Sequence, residues 1–90
     1  MAQDWTFLTN HAHVLIQLHA NPDARVRDLA EGVGITERSI MGILGDLEEG
    51  GYVTRTRVGR RNHYRVNPQL HFRHPTEDDK PIGKLLKIFG

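Results

Sequence analysis

Residues 53–66 read VTRTRVGRRNHYRV, a stretch that very few local structures accommodate. It holds five arginines (Arg55, Arg57, Arg60, Arg61 and Arg65) and no acid. The pattern alternates as a strand does, breaks at Gly59-Arg60, and then alternates again. Two alternating runs separated by a glycine-containing break are the signal of a β-hairpin. A loop of two or four residues sets positions 53/66, 55/64 and 57/62 opposite each other. Val53, Tyr64 and Val66 then share one side, and the stem of Arg55 lies across Tyr64. Arg61, His63 and Arg65 fall on the other side with Thr54 and Thr56.

Helical signals precede this hairpin. Thr9 or Asn10 caps a helix that runs to about residue 20, with Val14, Leu15 and Leu18 as its apolar stripe. Trp5, Phe7 and Leu8 stand before it, extended or in a first turn. Pro22 disfavours helical geometry in Asn21, so the helix ends there. The segment VRDLAEGV offers Val26, Leu29, Ala30 and Val33 at helical spacing, and Gly34 breaks it. Thr36 is a good N-cap for a longer helix to about residue 49, and Gly50-Gly51 stops it. After Asn67-Pro68, the stretch QLHFRHPTEDDK has too little periodicity to assign. Pro81 then suits the first position of a short amphipathic helix with Ile82, Leu85, Leu86 and Phe89 at i, i+3, i+4 and i+7.

The formal net charge of +1 conceals a segregation. Residues 1–49 carry eight acids and three bases, whereas residues 50–76 carry six arginines and no acid. A concentrated basic patch beside an acidic body orients a molecule towards a polyanion. Ninety residues make one small domain with a single modest core. No apolar run reaches the ~20 residues of a membrane span, and the opening MAQDWT lacks the regions of a signal peptide. With no cysteine there is neither a disulfide framework nor a thiolate metal site. The expectation is a cytoplasmic protein.

The run VRDLAEGVGITERSIMGILGDLEEGGYVTRTRVGRRNHYRV resembles the helix-turn-helix and wing of bacterial MarR-like and ArsR-like transcription regulators. The likeness lies in the order of elements: a short helix, a turn of three to four residues, a longer helix, then Gly-Tyr-Val opening the wing. It covers about residues 5–66. It implies a mainly α fold with a small β-hairpin, a winged helix-turn-helix built on three core helices. Residues 1–67 form the DNA-binding domain in this reading. Residues 68–90 are a C-terminal extension whose amphipathic helix is a possible dimerisation element. The implied activity is that of a double-stranded DNA-binding transcriptional regulator, and the implied assembly is a homodimer on pseudo-palindromic sites.

On the longer helix, Ile43, Leu44 and Leu47 lie within about 60° of Ile40 at 100° per residue. Arg38, Gly42, Gly45 and Glu49 point the other way, with Met41 at the margin. One stripe therefore packs while the other is offered to a major groove, read mainly from the helix's N-terminal part. The candidate readers are Thr36, Glu37, Arg38, Ser39, Met41 and Gly42. Only Arg38 among them is basic, and the glycines remove side chains where DNA would lie. Sequence discrimination from this helix is expected to be modest. In the wing, Arg55, Arg57, Arg60, Arg61, Asn62, His63 and Arg65 are the candidate contacts. Arg60, at the tip, is placed to enter a narrow minor groove. The candidate dimer surface comprises Trp5, Ile82, Leu85, Leu86 and Phe89.

Other signals lead to bland readings. Gly42-Ile-Leu-Gly45 matches the GXXG of KH-type RNA binders but lies inside a helix rather than a loop. His11 and His13 diverge on a helix, and Pro75 follows the His71/His74 pair, so no metal or other cofactor is expected. Asp46, Glu48 and Glu49 read as a solvated acidic turn. No Ser/His/Asp set, P-loop or dinucleotide motif marks an enzyme. An effector is left open; in so short a chain, sensing would fall to the dimer interface or the tail. The competing function is a winged helix that binds another protein and no DNA.

Overall fold

The computed structural model describes residues 5–90, so residues 1–4 of the N-terminal stretch read for a leader lie outside the described part. Elements follow the order α1 (Asn10–Ala20), α2 (Val26–Val33), α3 (Glu37–Glu49), β1 (Val53–Val58), β2 (Arg61–Val66) and α4 (Gly83–Phe89). Each of the first three helices starts where a polar group meets orphan backbone N–H groups. The Thr9 hydroxyl accepts from Ala12 N at 3.2 Å, and the Thr36 hydroxyl accepts from Ser39 N at 3.0 Å. At the start of α2 the Asp28 carboxylate accepts from Arg25 N at 3.3 Å. Gly34 closes α2 in the left-handed region, φ +84°, and its N–H donates to Ala30 O. That turn swings the chain from α2 into α3.

The core gathers one stripe from every element. Val14, Leu15 and Leu18 of α1 meet Leu29 and Ala30 of α2, and Ile40, Ile43, Leu44 and Leu47 of α3. Val53 and Tyr64 close it from the hairpin, and Ile82 and Leu86 from the C-terminal segment. The stripes expected of α1 and α3 are buried as read. In α2, Leu29 and Ala30 are buried while Val26 and Val33 pack against the core from its edge, as Val66 does in the hairpin.

The hairpin joins α3 through Gly50-Gly51, where Gly51 takes φ +83°. Its antiparallel register pairs Val53 with Val66, Arg55 with Tyr64, and Arg57 with Asn62. The loop therefore has two residues. Gly59 has φ +62° while no non-glycine residue has a positive φ among the described residues. This is the pattern of a type II′ turn, whose twist matches that of the strands. At the base, Asn67 donates from its side chain to Gly51 O at 2.6 Å and from its backbone to Tyr52 O at 2.9 Å.

The C-terminal segment departs from its sequence reading in two ways. Residues 68–83 fold back on themselves: Phe72 N donates to Lys80 O at 3.0 Å, Ile82 N to Leu70 O at 2.7 Å, and Gly83 N to Pro68 O at 2.9 Å. The Tyr52 hydroxyl donates to His71 O and fastens this strap to the wing base. Order made of cross-strap backbone bonds leaves no periodicity in the sequence. The last helix also begins later than expected, at Gly83, with Ile82 as its N-cap and Pro81 bridged to His71. Its apolar residues are divided: Ile82 and Leu86 are 4% and 2% exposed, whereas Phe89 is 55% exposed.

That division is measurable. Leu86→Ala should lower unfolding free energy by about 2–5 kcal/mol, the usual cost of emptying a core site. Phe89→Ala, measured on the dilute single chain, should change it by no more than about 0.5 kcal/mol, as at an ordinary surface position. Urea unfolding followed by circular dichroism reads both, and an unchanged midpoint for Leu86→Ala would remove α4 from the core.

Candidate nucleic-acid interface

The α2–turn–α3 unit presents the outer face of α3 to solvent. Thr36, Glu37, Arg38, Ser39, Met41 and Gly42 are all exposed, and Met41 keeps 61% of its surface accessible. Thr36 and Ser39 also bond to each other through their hydroxyls at 2.9 Å, so part of their donor capacity is spent on the cap. A methyl group added at Gly42 or Gly45 would meet nothing within 4 Å. Neither glycine is needed by packing inside the chain. The face is bare backbone flanked by Arg38 and Met41.

In the wing, all five arginines are exposed, and its deeply buried side chains are Val53 and Tyr64. The acidic body nevertheless reaches several of its basic groups. Arg55 Nε lies 3.5 Å from the Glu48 carboxylate at the end of α3. Arg61 donates to Asp23 O at 2.9 Å, and His63 Nδ1 lies 2.8 Å from the Asp23 carboxylate. Asp23 stands in the α1–α2 connection, where Pro22 O also accepts from Tyr64 N at 2.9 Å. Arg57 Nε makes a long 3.4 Å contact with Gly59 O at the turn. Among the described residues, Arg38, Arg60 and Arg65 make no hydrogen bond or ion pair through their side chains. Asn62, opposite Arg57, is half-buried.

Asp23 and Glu48 escaped the sequence reading. Asp23 is forty positions from His63, and no spacing rule joins a turn acid to a strand that far away. Glu48 reads as part of a solvated acidic turn, and only the direction of the wing brings Arg55 to it. His11 is likewise paired, with its Nε2 2.8 Å from the Asp46 carboxylate across α1 and α3. His71 Nδ1 donates to Asp78 O at 2.8 Å within the strap.

Of the candidate dimer residues, Ile82 and Leu86 are spent inside the chain's own core. Trp5 is 65% exposed and packs edge-to-face on Phe7 with ring centroids 5.0 Å apart. Leu85 is half-buried on the rim of a pocket of about 530 Å³. That pocket lies between α1, the end of α3 and the strap, floored by Leu15, Leu47 and Ile82 and edged by His11 and Arg73. No helix of the described residues is long and apolar enough to cross a membrane.

Two helices set by a left-handed glycine, with a basic two-stranded wing behind the second, are the parts of a winged helix-turn-helix. A comparison with curated proteins gives no match. The model of the MarR family matches residues 6–61, which spans α1 to the start of β2. The match covers more than half of the chain, and the chain belongs to the MarR family of winged helix-turn-helix regulators.

Proposed function

We propose that the protein regulates transcription by binding double-stranded DNA, with α3 in the major groove and the wing on backbone and minor groove. The observation that carries this reading is the wing: five exposed arginines on a ribbon anchored directly behind a solvent-facing helix. Such a ribbon, with five arginines and no acid, suits a polyanion. Arg38 at the start of α3 approaches base edges or phosphate, where the helix's partial positive charge assists it in orienting on the duplex. Arg60 at the tip, with Arg57 and Arg65, supplies the backbone and minor-groove grip. Few base-reading groups stand on α3, so sequence discrimination is modest. On this reading the protein acts in the cytoplasm. The competing function, a winged helix that binds only protein, does not need five arginines gathered on one ribbon.

Fluorescence anisotropy with a generic duplex across a salt series tests this. Log K should fall by about 0.9 per phosphate neutralised for each decade of salt. Arg60→Ala should weaken binding and flatten the slope by about one contact. Arg61→Ala should flatten it less, because that guanidinium is already engaged by Asp23 O. No binding at low salt would favour the protein-interaction alternative.

The glycines of α3 give an independent check. Gly42→Ala and Gly45→Ala should each stabilise the fold by up to about 1 kcal/mol, since alanine is the better helix former and its methyl meets nothing. The same substitutions should weaken duplex binding if DNA backbone approaches this face. Stabilised variants that bind DNA unchanged would take Gly42 and Gly45 out of the interface.

We further propose that the protein acts as a homodimer through Trp5, Leu85 and Phe89, the members of the apolar set that remain accessible. Light scattering should give twice the chain mass at tens of micromolar, reverting towards monomer for Phe89→Asp. A monomer across that range would remove the dimer.

A further inference from the structure

We propose that Asp23 is the positioning residue of the wing, fixing the direction in which β1 and β2 project from the helical body. The inference rests on the DNA-binding reading for its consequence, though not for its geometry. Three contacts from consecutive parts of β2 converge on two residues of the α1–α2 connection. Arg61 donates to Asp23 O at 2.9 Å, the His63 ring meets Asp23 Oδ1 at 2.8 Å, and Tyr64 N donates to Pro22 O at 2.9 Å. A carboxylate only accepts, so Nδ1 of His63 carries the proton in this contact.

The wing is also held nearer its base, where Gly51 and Asn67 close it, Val53 and Tyr64 enter the core, and Arg55 lies 3.5 Å from Glu48. Beyond Tyr64, the outer part of a two-stranded ribbon has little to hold it against twisting. The contacts of Asp23 act further along β2, nearer the turn, and supply the second point that defines a direction. Both side chains are substantially exposed, Asp23 at 62% and His63 at 42%. An exposed pair of this kind adds little to global stability. Its effect is on where Arg57, Arg60 and Arg65 point. The same contacts withdraw Arg61, through the backbone carbonyl of residue 23, and His63, through the Asp23 carboxylate, so the Asp23 side chain sets the aim of the wing and the availability of His63.

The chain has no cysteine, so spin labels go where they are placed. Labels at Val58→Cys near the wing tip and Glu31→Cys on α2, both exposed positions, report the wing direction by pulsed electron paramagnetic resonance. Diluted into excess unlabelled protein, so that any dimer carries one labelled chain, the double-labelled protein should give one narrow distance distribution. Asp23→Ala should broaden it at least twofold without moving the thermal midpoint, and His63→Ala should do the same by removing the donor. Asp23→Asn, whose amide oxygen still accepts from Nδ1–H, should stay narrow. An unbroadened distribution in Asp23→Ala or in His63→Ala overturns the proposal.

Binding to a generic duplex adds the functional arm, with the unlabelled variants. Asp23→Asn loses a negative charge but keeps the contact, and should bind at least as tightly as the parent. Asp23→Ala loses the same charge and should bind about three- to tenfold more weakly than Asp23→Asn, the size of one hydrogen bond. Equal binding by the two variants would mean that Asp23 acts by charge alone and would overturn the positioning role. If the distances broaden as expected while no form binds duplex, the DNA-binding reading fails and the positioning of the wing stands.

Discussion

The left-handed backbone at Gly51 is the constraint on which the functional half of the molecule depends. With φ +83°, it ends α3 and turns the chain into β1 within two residues. A side chain at this position would strain the backbone whatever space surrounds it. Tyr52 N reaches back to Leu47 O at 2.8 Å, and Asn67 seals the turn from the far strand. Hairpin and outer helix therefore share one joint. Val53 enters the core one residue after Tyr52, so the wing hangs from the same apolar cluster that seats α3.

That cluster explains why the helices are so clear in the sequence. α3 puts Ile40, Ile43, Leu44 and Leu47 on one stripe, and all four are buried. Its caps are local, Thr36 at one end and Gly50 at the other, and local chemistry is what a linear pattern records. The hairpin register is equally legible: a loop of two residues and one of four around Gly59-Arg60 give the same pairing, and the structure has the shorter. The C-terminal part is harder. The spacing of Ile82, Leu85, Leu86 and Phe89 marks a helix but cannot say what it packs on, and the structure places Ile82 and Leu86 in the chain's own core. Their burial depends on the strap that delivers them, and that strap is held by backbone bonds that no residue pattern encodes.

The candidate site divides the same way. Its positions on α3 and in the wing follow from periodicity, so their exposure is legible. Their electrostatic partners are not, because Asp23, Glu48 and the wing's basic groups meet only after the chain has folded. Along the sequence, the acidic first half and the basic stretch that follows it are separate regions. In three dimensions the acids of the body border the base and one edge of the wing, through Glu48 to Arg55 and Asp23 to His63.

This contact between opposite charges bears on recognition as well as on folding. A ribbon bearing only arginines would grip any polyanion in many poses, because phosphate contacts carry no sequence information of their own. Committing some of those groups to the body lowers the charge available and leaves fewer positions from which it acts. Arg38 at one end of α3 and Arg60 at the turn of the wing then stand as separated uncommitted cations, with the bare glycine face of α3 in the same molecule. A helix that offers few groups to bases depends on how it is seated for whatever selectivity it has. On the proposed DNA-binding reading, a wing of fixed direction supports that seating in a way that one further free arginine would not.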